Sequence, residues 1–299
     1  MKKAYFYAGV SIFCWSTVAA TCKMLLKELN NIQLLWMNSI IAGVFLLILN
    51  LCTGNFKKNK NYTVKDYLTM VAIGIPGTFF YYMFYYAGTD LMPASQAFII
   101  NYLWPIMSVL FACIILKEKL TPKKIIAILI SFCGVAIVMG SAISEVNAKM
   151  MLGALFCILG AVSYGIFTSL NQKKNYEKPI SLMMSYFATF LLTTVINLVN
   201  GDVFLPHIEQ MAGFLWNGIF TVAIANTVWV MALETGKTAK ISNLAYITPF
   251  LSLIWTSVFL HEQISLNSIV GLVVIVLGII IQLNEKDKKQ NLNSQRSKS

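Results

Sequence analysis

The side chains that could do chemistry in this chain are mostly neutral rings and amides. Tyr81, Tyr82, Tyr85 and Tyr86 make two i,i+4 pairs, a phenolic stripe along one helix. Phe98, Asn101, Tyr102 and Pro105 follow at i, i+3, i+4 and i+7, with Trp104 beside them. Trp15, Tyr164, Asn226, Trp229 and Tyr246 add aromatic or amide groups inside other apolar runs, each able to serve as ligand or as packing. A cavity walled by such groups suits an amphipathic solute, and a cation could stack on the rings. A bare inorganic ion or a multiply phosphorylated sugar would find no charged partner there. No nucleophile–base pair and no metal-ligand spacing accompanies these residues, so no catalytic residue, metal or cofactor is expected.

Each group also has a plainer role. Tyr86 fits the interfacial aromatic belt, whereas Asn101, Tyr102 and Trp104 lie about two turns deep, where an amide or hydroxyl needs either a water-filled cavity or a neighbouring helix. Pro105 and Pro249 each remove a hydrogen bond in mid-helix, as a static bend or as a hinge beside a binding site. Lys23 is the only ionisable residue within a span, about one turn from the outer end of the first helix. It would pair an anionic group of a solute or snorkel to the interface. Glu118 and Glu262 could gate, but a carboxylate near the start of the helix that follows it caps free N–H groups. Ala161, Gly165 and Ser169 form a small-xxx-small strip for close helix packing.

The elements that must position these groups follow from composition. Of 299 residues, 58% are hydrophobic and 12% charged, with mean hydropathy +0.70. A soluble domain is about half apolar and about a quarter charged. Ten apolar runs fall at 4–26, 32–51, 67–87, 94–116, 125–143, 150–170, 180–199, 211–233, 241–260 and 264–283. A spanning helix needs roughly 20 apolar residues, and barrel strands about half that, so the expectation is an all-α membrane protein of ten transmembrane helices. The opening Met1-Lys2-Lys3 imitates a secretory signal, but the run behind it continues as the first span. Cys14, Cys22, Cys52, Cys113, Cys133 and Cys157 lie in apolar runs and read as small buried hydrophobes.

The net charge of +11 is topological. With the N-terminus inside, 20 of the 23 basic residues fall in cytoplasmic segments, against Lys27 and Lys149 in the opposite loops. The positive-inside rule therefore puts both termini in the cytoplasm of a multi-pass inner (plasma) membrane protein. The scattered lysines make no nucleic-acid face, and residues 284–299 read as a disordered cytoplasmic tail. The expected partners are the bilayer and a small-molecule substrate, with no nucleic acid. The sequence sets no oligomeric state.

The chain also repeats itself. Shifting it by 144 residues places Tyr102 on Tyr246, Pro105 on Pro249, Ser108 on Ser252, Leu116 on Leu260, Glu118 on Glu262 and Gly134 on Gly278. Residues 1–143 and 150–283 then form two five-helix repeats. An odd number of spans inverts the second copy, an arrangement that gives transporters two packings around a central cavity. No Asp or Glu lies within a run away from its ends, and neither His207 nor His261 lies within one. A proton relay is therefore not visible, which favours facilitated transport or exchange, or a coupling carried indirectly.

These features resemble the drug/metabolite transporter superfamily, specifically its EamA-type ten-helix proteins, over nearly the whole chain. Trp15-Ser16-Thr17, Asn101-Tyr102-Leu103-Trp104-Pro105, Trp229 and Tyr246-Ile247-Thr248-Pro249 are similar to motifs of the aromatic amino-acid exporter branch. The resemblance implies alternating access around a cavity lined by Tyr81, Tyr85, Tyr102 and Trp104, and export of amino acids and sometimes cationic drugs. Tyr164 stands where that branch usually has Trp, a departure that bears on bulky aromatic substrates. The expectation is a transporter, not an enzyme, exporting or exchanging amino acids or related small amphipathic metabolites. The alternatives are a carrier of another solute class (nucleoside-like, sugar, osmolyte or cationic drug) and a lipid flippase or scramblase.

Overall fold

The computed structural model describes residues 2–58, 61–143, 148–174, 176–202, 206–225, 228, 229, 231, 232, 241 and 244–296. All regular structure among them is helical: α1 Lys2–Ser16, α2 Val18–Leu25, α3 Asn31–Thr53, α4 Asn55–Lys58, α5 Val64–Ile75, α6 Tyr81–Leu91, α7 Ala94–Asn101, α8 Trp104–Ile115, α9 Pro122–Ile143, α10 Ala148–Lys173, α11 Lys178–Asn200, α12 Ile208–Leu215, α13 Thr248–Leu260 and α14 Leu266–Arg296. Among the described residues, seven helical stretches are long and apolar enough to cross a membrane, ending at Lys178–Asn200, and Ala245–Leu260 and Leu266–Ile281 are shorter apolar helices. The expected eighth span, 211–233, falls partly outside the described residues.

The helix ends follow local rules. Asn30 and Thr63 cap α3 and α5 in reciprocal boxes with Gln33 and Asp66. Gly54 and Gly201 end α3 and α11 at φ of +68° and +73°, a left-handed conformation that glycine adopts without the strain a Cβ brings. α5 and α6 are joined through a π-turn, Pro76–Phe80, because Pro76 has no N–H to continue the ladder. α14 extends from Leu266 to Arg296. Once a helix is nucleated in its apolar part, adding Lys, Gln, Asn and Glu residues costs little.

Large apolar side chains project outward all round the bundle. Phe6, Ile114, Leu129, Leu191, Val195, Leu198 and Leu266 are all exposed. Water would not tolerate so much apolar surface, whereas lipid would. Cys52 and Cys133 share that outer surface, while Cys14, Cys22 and Cys157 are buried. The reading of all six thiols as buried is corrected accordingly: a thiol is apolar enough to face hydrocarbon.

The spacing of 144 recurs in the backbone. Lys117 and His261 have φ of 56° and 55°, and the following residues repeat one hydrogen bond, Glu118 N–H to Ala112 O and Glu262 N–H to Thr256 O. Thr121 and Ser265, also 144 apart, then cap α9 and α14 through Lys124 N–H and Ser268 N–H. α9 and α14 pack against each other, and α10 packs on α6 and α8. The small strip of α10 works as expected. Gly165 faces the Met107 backbone, where an added Cβ would sit 2.6 Å from its carbonyl carbon, and Ser169 donates to Ser108 O at 3.3 Å. Gly165→Ala is expected to cost about 1–3 kcal/mol by overpacking, read as a lower thermal midpoint in detergent.

Candidate functional site

The phenolic stripe and the Asn-Tyr-Leu-Trp-Pro string meet where a helix breaks. α7 ends at Asn101, α8 begins at Trp104, and Tyr102 and Leu103 form a turn between them. Pro105 lacks the N–H that would carry the helix across, and its ring starts the second piece. The same device stands before Pro249, where a 3₁₀ turn, Ala245–Ile247, precedes α13. The two breaks touch: the Tyr102 hydroxyl donates to Ala245 O at 2.7 Å.

Seven of the predicted residues form one continuous group around the first break. The Asn101 amide donates to the Tyr81 hydroxyl at 2.9 Å. The Tyr81 ring lies 4.7 Å from Tyr82, 6.1 Å from Tyr85 in a stacked pair, and 4.9 Å from Tyr164. Tyr164 meets Trp104 edge-on at 5.2 Å, and Trp104 reaches Tyr102 at 6.3 Å. Asn101 Oδ1 and the Tyr85 hydroxyl are buried and lack a hydrogen-bond partner. Tyr246 is half-buried in the second break, next to Ala245. Phe167, 5.5 Å from Tyr164, is part of the same ring group and was not among the candidates, because a lone Phe in an apolar run gives no signal.

Trp15 and Trp229 belong to a second group. Their rings pack at 5.2 Å, and the Trp15 indole donates to Thr221 O at 3.1 Å. Asn226 lies outside the described residues. The rest of the Trp15-Ser16-Thr17 motif is structural. Ser16 Oγ accepts from the Trp255 indole at 2.9 Å and Thr17 Oγ1 from the Trp216 indole at 2.7 Å. Ser11 donates to Ala225 O, and Thr21 to Asn217 Oδ1, each at 2.8 Å. Thus α1 and α2 are held by a polar ladder to the segment after α12 and, through Trp255, to α13, which the sequence shows only as scattered hydroxyls and indoles.

Lys23 and Tyr86 take positions at one end of the bundle. The Lys23 ammonium donates to the carbonyls of Thr89, Asp90 and Met92, the last two at 2.9 and 3.1 Å, and so closes the C-terminal end of α6. Tyr86 is buried and accepts from the Asn38 amide at 3.0 Å, so it packs inside the bundle and is not part of an interfacial belt. The carboxylates depart from expectation too. Glu118 pairs with Lys124 at 3.0 Å, and Glu262 binds the start of α7, while Thr121 and Ser265 cap the helices that follow them. A short hydroxyl reaches its own helix's first turn at lower entropic cost than a longer glutamate.

The model of the EamA-like transporter family matches residues 2–140 and again 151–283. The chain belongs to the EamA-like transporter family. A transporter of Clostridium kluyveri is 24% identical over 98% of this chain and 96% of its own length, and one of Archaeoglobus fulgidus is 24% identical over 96% and 100%. An aromatic amino acid exporter of Ancylobacter novellus is 25% identical over 60% of this chain and 63% of its own length. A solved crystal structure superposes with a TM-score of 0.65 at 20% identity, covering 94% of this chain and 96% of that one, a likeness of fold. The protein is a multi-pass membrane protein of a transporter family.

Proposed function

We propose that this transporter exports or exchanges amino acids or related small amphipathic metabolites across the cytoplasmic membrane. The observation that carries the reading is the convergence of Tyr81, Tyr85, Asn101, Tyr102, Trp104 and Tyr164 at the break before Pro105. Rings offer an apolar wall and a cation-binding face, and the unpaired Asn101 oxygen offers an acceptor for an ammonium. The similarity to an aromatic amino acid exporter supports the same class of cargo.

In this reading, ten spans form two inverted halves, 1–143 and 150–283, with both termini in the cytoplasm, as the lysine distribution favours. The halves rock about the breaks at Pro105 and Pro249, exposing the site to each side in turn. Counterflow in proteoliposomes tests the proposal. Vesicles loaded with unlabelled phenylalanine, methionine or threonine are expected to take up the labelled amino acid faster than unloaded ones. Equal uptake by loaded and unloaded vesicles of folded protein would reject amino acids as cargo.

A further inference from the structure

One carboxylate joins the two family-matched halves at the end of the bundle where Lys23 lies. Glu262, just after α13 in the second half, accepts from two consecutive N–H groups of the first half. Ala94 donates to Oε1 at 2.6 Å and Ser95 to Oε2 at 3.0 Å. These are the first two residues of α7, so the charge sits on free N–H groups and on the positive end of a helix dipole. A few residues earlier in the chain, Lys23 holds the carbonyls of Thr89, Asp90 and Met92 at the end of α6. An anion on a helix start and a cation on a helix end thus fasten α13, α7, α6 and α2 together.

The elements so fastened are the ones that carry the breaks. α7 runs from the Glu262 contact straight to Asn101 and Tyr102, and α13 runs from Pro249 to the Glu262 contact. Any separation of α7 from α13 at this end must part Glu262 from both N–H groups. The parted groups are then solvated by water, so the closure is strong when dry and reversible when wet. Among the described residues, the carboxylate related by the 144-residue spacing is paired within its own half. Glu118 pairs with Lys124 in its own half, with its side chain 37% exposed.

We infer that Glu262 and Lys23 form a latch that closes the Lys23 end of the bundle, the external end in the proposed orientation, and must release before a solute crosses there. The inference rests on the transport reading above, but its test needs no solute flux. Cys22 supplies the reporter: it is fully buried, beside Lys23, and its sulfur accepts from Asn217. With the other five cysteines replaced by alanine, Cys22 is exposed in right-side-out vesicles to a charged, membrane-impermeant methanethiosulfonate.

Glu262→Ala and Lys23→Met are expected to speed labelling about tenfold, the shift that follows when the closed arrangement loses one strong contact. Glu262→Gln, which keeps an acceptor oxygen without the charge, should fall between Glu262→Ala and the parent. Glu118→Ala should label at the parental rate. Parental rates in Glu262→Ala and Lys23→Met, or equal acceleration by Glu118→Ala, would overturn the latch. If Glu262→Ala does not elute as folded protein, Glu262→Gln and Lys23→Met carry the same decision. A protein without amino-acid flux that still shows these labelling differences would reject the cargo and keep the latch.

Discussion

Trp104→Ala is expected to lower loading-dependent amino-acid uptake about thirtyfold or more, the consequence of losing roughly 2 kcal/mol from a central aromatic contact. The Trp104 ring is half-buried and spans the group, meeting Tyr164 on one side and Tyr102 on the other. Its removal opens the wall between two tyrosines that belong to different helices, α10 and the α7–α8 break. The fold has less at stake. Trp104 is the first residue of α8, where alanine is a good helix former, and its carbonyl keeps the bond from the Ser108 hydroxyl at 2.8 Å. Pro105 still fixes the start of that helix. The check is counterflow beside size-exclusion elution of the purified variant. Wild-type uptake of every accepted substrate by a normally eluting Trp104→Ala protein would remove the ring group as the binding site.

The features that sequence made legible are those in which one helix carries its own pattern. The Tyr81 to Tyr86 stripe needs only the 3.6-residue period, and the structure stacks Tyr81 on Tyr85 as that period requires. Pro105 and Pro249 announce interruptions because proline lacks an N–H, and both helices are broken just before them. The spacing of 144 was visible in Tyr, Pro, Glu and Gly, and it reappears in the positive φ of Lys117 and His261.

Contacts between distant residues were not legible. Ser16 and Thr17 offer hydroxyls, and Trp255 and Trp216 offer indoles, but which donor meets which acceptor is set by how the helices pack. Glu262 illustrates the limit best. By local rules it belongs to the helix that follows it, yet Ser265 occupies that role and frees the carboxylate for α7, 167 and 168 residues earlier in the chain. Lys23 was readable as an unusual membrane lysine, but its three carbonyl partners lie at the end of α6, 66, 67 and 69 residues later in the chain.

The glycines of the last pair of helices lead to the second large effect. Gly134→Leu is expected to destabilise the protein by more than about 3 kcal/mol and to leave little folded material, because an added side chain here meets the Ile275 side chain at 2.6 Å and, behind it, backbone that cannot give way. An added Cβ at Gly134 would lie 2.7 Å from Gly271 O and 2.9 Å from Ile275 N. The facing glycines are equally tight: at Gly271 a Cβ would meet Gly134 O at 2.6 Å, and at Gly278 it would meet Ala127 O at 2.8 Å. In hydrocarbon such close approach supplies the dispersion energy that holds helices together, so α9 and α14 cannot simply move apart without losing it. Gly9 is the control. It lies within α1 with nothing within 4 Å of an added Cβ, so Gly9→Ala should stabilise by about 0.5–1 kcal/mol through helix propensity alone. Thermal midpoints in one detergent separate the two cases: a fall for Gly134→Leu and a small rise for Gly9→Ala. Equal, small shifts at both positions would mean that α9 and α14 are not in backbone contact, and the close packing of the two halves at this seam would have to be abandoned.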